Sequence, residues 1–146
     1  MKFIRNLAIR MLARREHSKH ELQQKLVAKG FALKPVILIL QTLEQEGLLS
    51  DVRFAEMYVR TRASHGFGPV RIQAELNEYG VAEEIIRAAV FAEGYDWSML
   101  AKKVRSKKFG EKIPRDLSAI MQQKRFLHYK GFDFDIIKEI IKKEAV

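Results

Sequence analysis

His17 and His20 stand three residues apart, with Glu16 and Glu21 beside them. On one helix face such a group could hold a metal or pass a proton. The spacing argues against both. The sequence brings no third credible ligand near, the HExxH spacing is absent, and the pair straddles a helix start at Ser18. His65 and His128 are solitary and read as packing or surface residues. Glu83 and Glu84 are adjacent, so they point to different helix faces and serve better as charge compensation at a helix N-terminus. Gly66-Phe67-Gly68 is followed by Pro69 and lacks the Lys-Ser/Thr pair of a phosphate loop. No Ser/His/Asp arrangement can be argued. Cysteine is absent, which excludes disulfides, thiolate metal sites and a cysteine nucleophile. The expectation is a protein that is not an enzyme, with no catalytic residue, no metal and no cofactor.

What remains is basic. The net charge is +9, and it is unevenly spread. Residues 1–34 hold nine Lys/Arg against two Asp/Glu, residues 35–96 five against ten, and residues 97–146 thirteen against six. Arg14, Arg15, Lys19 and Lys25 cluster early; Arg53, Arg60, Arg62 and Arg71 gather in the acidic middle. Lys102, Lys103, Arg105, Lys107 and Lys108 form the densest block, with Lys124 and Arg125 after it and Lys130 further on. Cations at helix C-termini offset the macrodipole, and that accounts for Arg14, Arg15, Arg60 and Arg62 one by one. It does not account for residues 102–108, where five of seven are basic and repel one another. A polyanion or an acidic protein surface would offset that repulsion. Base-specific reading by a helix-turn-helix is disfavoured, because the second helix of Ser18–Glu46 begins Pro35-Val36-Ile37-Leu38-Ile39-Leu40 and must be buried. Phosphate contact needs only a row of cations and stays open.

The elements that would carry these residues repeat. Gly30, Gly80 and Gly131 are spaced by 50 and 51 residues. Each follows a leucine by four (Leu26, Leu76, Leu127) and precedes an apolar residue directly (Phe31, Val81, Phe132). Aliphatic residues recur six and ten positions later: Val36, Ile86 and Ile137, then Leu40, Val90 and Ile141. A period of this length means one supersecondary unit stacked in an array. Apolar spacing of three and four, as in Phe3, Ile4, Leu7, Ala8 and Met11, predicts helix almost throughout. Ser18-Lys19-His20-Glu21 has the form of a capping box, and Asp51 and Asp96 are expected N-caps. Pro35 suits a first helical turn and Pro69 a first helical position; a longer helix is expected from about Pro114 to Gly131, and a last one from near Asp133 to Lys143. The fold class is all-α: three tandem three-helix repeats, each a long helix and two shorter ones, over 1–48, 49–94 and 95–146, forming an elongated, curved array. Gln123 stands where the other repeats carry Leu22 and Ile72, so the third middle helix should pack differently.

The longest apolar run is five residues, Val36 to Leu40, far short of the ~20 of a membrane span. The first residues carry interspersed charge, with no apolar block of a signal peptide. The expectation is a cytoplasmic monomer without a membrane partner.

The run Ala13-Arg14-Arg15-Glu16-His17-Ser18-x-x-Glu21-Leu22-x-x-Lys25-Leu26-x-x-Lys29-Gly30-Phe31 resembles the first signature of the bacterial RecX regulatory proteins. So does Leu43-x-x-Glu46-Gly47-Leu48-Leu49-x-Asp51-x-Arg53-Phe54-Ala55. Gly68-Pro69-x-Arg71-Ile72-x-x-Glu75-Leu76-x-x-x-Gly80-Val81 is similar to the second signature. Lys107-Lys108-Phe109-Gly110, Lys124-Arg125-Phe126-Leu127 and Gly131-Phe132 are similar to the third. The resemblance implies tandem three-helix repeats and a modulator of RecA recombinase, acting in DNA recombination, repair and the SOS response. It implies binding along the groove of the RecA–DNA filament, with DNA inside it as a further contact, and inhibition of strand exchange, ATP hydrolysis and the co-protease role. The matching residues are mostly structural, so the basic clusters are the expected contacts. A nucleic-acid-binding module without a RecA partner is the rival reading, and an adaptor for another acidic protein a third.

Overall fold

The computed structural model describes residues 1–142. Among them all regular structure is helical: α1 (Lys2–Arg14), α2 (Lys19–Ala28), α3 (Leu33–Gln45), α4 (Asp51–Ser64), α5 (Pro69–Glu78), α6 (Glu83–Val90), α7 (Trp97–Phe109), α8 (Leu117–Lys130) and α9 (Phe134–Ile140). The chain divides into two compact units, Met1–Tyr58 with Glu75–Ala89 and Val59–Ala74 with Val90–Val146.

In the first unit, α1, α2 and α3 close on one core of Ile4, Ala8, Leu22, Leu26, Val36, Ile39, Leu40, Leu43 and Leu49. The run at Val36–Leu40 is helical, as its continuation to Leu43 predicts, and Leu38 on the far face is exposed. Each wholly buried leucine contributes about 1.5–3 kcal/mol. In the second unit, α7, α8 and α9 pack on Ala101, Ile120, Leu127, Phe132, Ile137, Ile140 and Ile141.

The repeated Leu-x-x-x-Gly-apolar string is a helix stop. At each site the N–H after the glycine donates to the leucine carbonyl: Phe31 to Leu26, Val81 to Leu76 and Phe132 to Leu127, at 3.3, 3.2 and 3.1 Å. The glycine's own N–H bonds three residues back, and its φ is positive, which L side chains avoid. Two of these glycines also meet the start of another middle helix. A Cβ on Gly80 would lie 2.6 Å from the Cβ of His20, and one on Gly131 would collide with the Cβ of Arg71. Gly30 has nothing within 4 Å of that position.

Several sequence expectations need correction. Ser18 caps α2, accepting from the Glu21 N–H at 3.0 Å, but Glu21 does not return the bond; its carboxylate takes Arg15 and Lys25 instead. Asp51 is inside α4 rather than its cap. Ser50 Oγ accepts the Arg53 N–H at 3.2 Å, and the Asp51 carboxylate accepts the backbone N–H of Lys19 at 2.8 Å. The third middle helix starts at Leu117, not near Pro114, because the Asp116 carboxylate captures the Ala119 N–H. The long-then-short pattern does not hold: α3 equals α1 at 13 residues, and α8 with 14 exceeds α7 with 13. Asp96 and Asp133 cap α7 and α9, and Pro69 opens α5. α9 ends at Ile140; the expected last position, Lys143, lies outside the described residues.

Candidate partner-binding surfaces

The first basic cluster is largely committed to carboxylates within its own unit. Arg15 spans Glu21 with both terminal nitrogens, and Nη1 also donates to the Glu16 carbonyl at 2.8 Å. Lys25 Nζ lies 3.5 Å from Glu21 Oε2 and 3.1 Å from His17 Nε2. Lys19 pairs with Glu44 at 2.7 Å, and Arg53 with Glu16 at 2.9 Å while also donating to the Gly47 carbonyl. Arg14, at the end of α1, is exposed.

This network perturbs its members. Burial alone would push the Glu21 carboxyl up, but the Arg15 hydrogen bond and the charges of Arg15, His17 and Lys25 outweigh it and hold the carboxyl below its ordinary range. The Arg15 guanidinium is pushed up, chiefly by its hydrogen bond to Glu21. His17, only 3% exposed, is pushed down by burial first. With Nδ1 3.0 Å from the Arg15 carbonyl and Nε2 facing a lysine ammonium, its neutral form fits as donor on one side and acceptor on the other. Among the described residues no group of three His, Cys, Asp or Glu is placed to hold a metal ion.

In the second unit the cations divide. Lys102, Lys103, Lys107 and Lys108 project from α7 and are exposed, as is Arg125 on α8, while Lys124 is half-buried and Arg60 on α4 is exposed. Arg105 corrects the expectation. It is 2% exposed, and its guanidinium donates to Gln123 Oε1 at 3.1 Å and to the carbonyls of Gly110 and Glu111 at 2.9 and 3.0 Å. It fastens the loop after α7 to α8. Gln123, itself buried, is polar because it faces a buried guanidinium.

Arg62 and Arg71 converge on Phe67, their guanidinium carbons 3.9 and 4.3 Å from the ring centre. Lys130 lies over the same ring at 3.9 Å. The turn that carries Phe67 is fixed on the end of α8: the N–H of Gly68 donates to the Lys130 carbonyl at 2.8 Å, and that of Val70 to the Gly131 carbonyl at 2.9 Å. Phe67 lies outside the basic clusters expected to make the contacts.

Residues 5–34, 50–90 and 98–141 match, in that order, the family models described as the first, second and third three-helix domains of RecX. The chain belongs to the RecX family. Regulatory protein RecX of Halorhodospira halophila is 42% identical over 135 residues, covering 92% of this chain and 84% of the relative. That of Chromohalobacter salexigens is 42% identical over 134 residues, covering 92% and 88%. A crystal structure of RecX from Lactobacillus salivarius superposes with a TM-score of 0.80 at 24% identity, over 96% of this chain and 93% of the other, a likeness of fold. All of these relatives carry RecX names, and the first two are called regulatory proteins. In this RecX-family chain no helix among the described residues is long and apolar enough to cross a membrane.

The three clusters are thus of different kinds in this RecX chain. The first is an internal ion-pair network around Glu21; in the second Arg53 pairs with Glu16, Arg60 is exposed, and Arg62 and Arg71 stack on Phe67; the third is a row of exposed lysines with one buried arginine. Sequence alone could have set Arg105 apart: it follows Trp97 and Ala101 at intervals of four, and all three are buried on one face of α7.

Proposed function

We propose that this chain, built as repeats over 1–48, 49–94 and 95–146, is a non-enzymatic cytoplasmic regulator. It binds the RecA–DNA filament and modulates, for the most part inhibiting, its recombinase, ATPase and co-protease activities in DNA repair, recombination and the SOS response. The observation that carries the reading is the ordered match of all three RecX domains. Exposed Lys102, Lys103, Lys107 and Lys108 support the contact surface: among the described residues none of them pairs with a carboxylate, and they suit an anionic partner. Arg60 and Arg125 are further exposed contacts. The test is RecA ATPase on single-stranded DNA titrated with this protein. Wild type should depress turnover. Lys102→Ala/Lys103→Ala/Lys107→Ala should need more protein for the same effect and show a shallower salt dependence, because salt-released contacts are gone. Unchanged inhibition by that variant rejects the site, and no effect of wild type on any RecA activity rejects the reading.

A row of exposed lysines also suits bare nucleic acid. Binding to naked single-stranded DNA as tight as to the RecA-coated strand would favour that second reading.

A further inference from the structure

Along α7 in the second unit runs a groove of about 770 Å³, within the ~300–1,000 Å³ typical of ligand sites. Its floor is apolar, made by Leu100, Val104 and Phe126, and one wall is the end of α4 with the turn after it, from Ala63 to Gly66. Lys103, Lys107, Lys108 and Lys130 stand around it, and among the described residues that line it none carries a carboxylate. A smaller hollow of about 300 Å³ shares Leu100 and Lys103 with it and reaches Tyr95 and Trp97.

Two halves of this site ask for different things. Four ammonium groups around one cleft favour anions, and the favour is enhanced where the walls are of low dielectric. The ammonium of Lys130 is pushed below the ordinary lysine range by burial, then by Arg71 and Arg62. The floor asks for an apolar group. A phosphate backbone supplies none, and Phe126 is a poor platform for a base: Phe109 packs perpendicular to it at 5.3 Å and Lys108 lies 5.5 Å from its ring centre.

We propose that this groove docks an acidic peptide segment bearing one large apolar side chain, seated on Leu100, Val104 and Phe126 with carboxylates toward the lysines. The inference deepens the proposed function, resting on it for the partner being a protein and naming the chemistry that partner must present.

The probe is a fluorescein-labelled peptide with one phenylalanine at the centre of a run of Asp and Glu, followed by anisotropy. The controls are the same peptide with serine for phenylalanine, and an oligo-dT of equal charge. The phenylalanine peptide should bind tightest and shift the NMR methyl signals of Leu100 and Val104 in the wild-type chain. Lys103→Glu/Lys107→Glu, a change at exposed positions checked for folding by circular dichroism, should weaken it by about tenfold or more. Equal binding of the serine peptide or of oligo-dT, unshifted methyls, or no binding of the phenylalanine peptide each overturns the proposal. The RecA titration is separate: a response there without peptide binding retires the groove alone, and peptide binding without that response retires the RecA reading alone.

Discussion

The hydroxyl of Ser18 donates to the backbone carbonyl of Tyr79 at 2.7 Å, joining the start of α2 to the end of α5 within the first unit. In the second unit Gly68 and Lys130 make the corresponding bond, through the Gly68 N–H, at 2.8 Å. Ser18 and Gly68 each precede a repeat glycine by twelve residues, while Tyr79 and Lys130 each stand just before the next one. One rule therefore operates twice: a middle helix begins against the end of the following middle helix, and the glycine there leaves room for it.

Ser18 does two jobs, accepting from the Glu21 N–H and donating to Tyr79. Ser18→Ala should lower stability by about 2 kcal/mol, from a lost cap of ~1 kcal/mol and a carbonyl left without its partner. Urea unfolding followed by circular dichroism measures it. A loss within ~0.3 kcal/mol of zero would mean that the contact does not hold the unit together.

The glycines separate two costs. All three have positive φ, at 99°, 74° and 102° for Gly30, Gly80 and Gly131. Gly30→Ala should cost only the backbone strain, about 1–2 kcal/mol, because its surroundings are open. Gly80→Ala and Gly131→Ala should cost more, since the new methyl group meets His20 or Arg71. Midpoints of thermal unfolding should rank Gly30→Ala above both; the reverse order would refute the close approach.

How far the sequence discloses this follows from range. The stop signals were legible because a Leu-x-x-x-Gly-apolar string closes its hydrogen bonds within six residues. The cap at Asp96 is as local. Asp51 departs from its expected capping role because a residue 32 positions away, Lys19, supplies the N–H that takes its carboxylate. The basic clusters were legible as charge, but not as partners. Pairing of Arg53 with Glu16 or stacking of Lys130 on Phe67 depends on helices that only the fold brings together.

The network around Glu21 makes stability depend on pH. His17 is held below the ~6.5 of an unfolded chain, chiefly by burial, so as pH falls below about 6.5 the unfolded state takes up a proton that the folded state resists. Stability is full above that pH and is lost as pH drops through the folded value. Glu21, held below its usual range, adds a second loss at more acidic pH. Unfolding free energies between about pH 8 and about pH 5 should fall with acid in wild type, and His17→Gln should flatten that slope. An unchanged slope in His17→Gln would assign it to other groups.

Arg105 and its neighbours on α7 should part company in every assay. Arg105→Ala leaves Gln123 Oε1 and the Gly110 and Glu111 carbonyls without their donor inside the fold. A lost charged hydrogen bond costs about 1.5–3 kcal/mol, so the variant should lose roughly 3 kcal/mol of stability or more. Lys102→Ala/Lys103→Ala removes two exposed side chains and should stay within ~0.5 kcal/mol of wild type. Binding to RecA-coated DNA should show the opposite order at a temperature where both variants are folded: weakened in the lysine pair, retained in Arg105→Ala. If Arg105→Ala instead folds as stably as wild type and loses binding, its guanidinium belongs to the interface, and the buried contacts to Gln123 and the loop carbonyls do not fasten the third repeat.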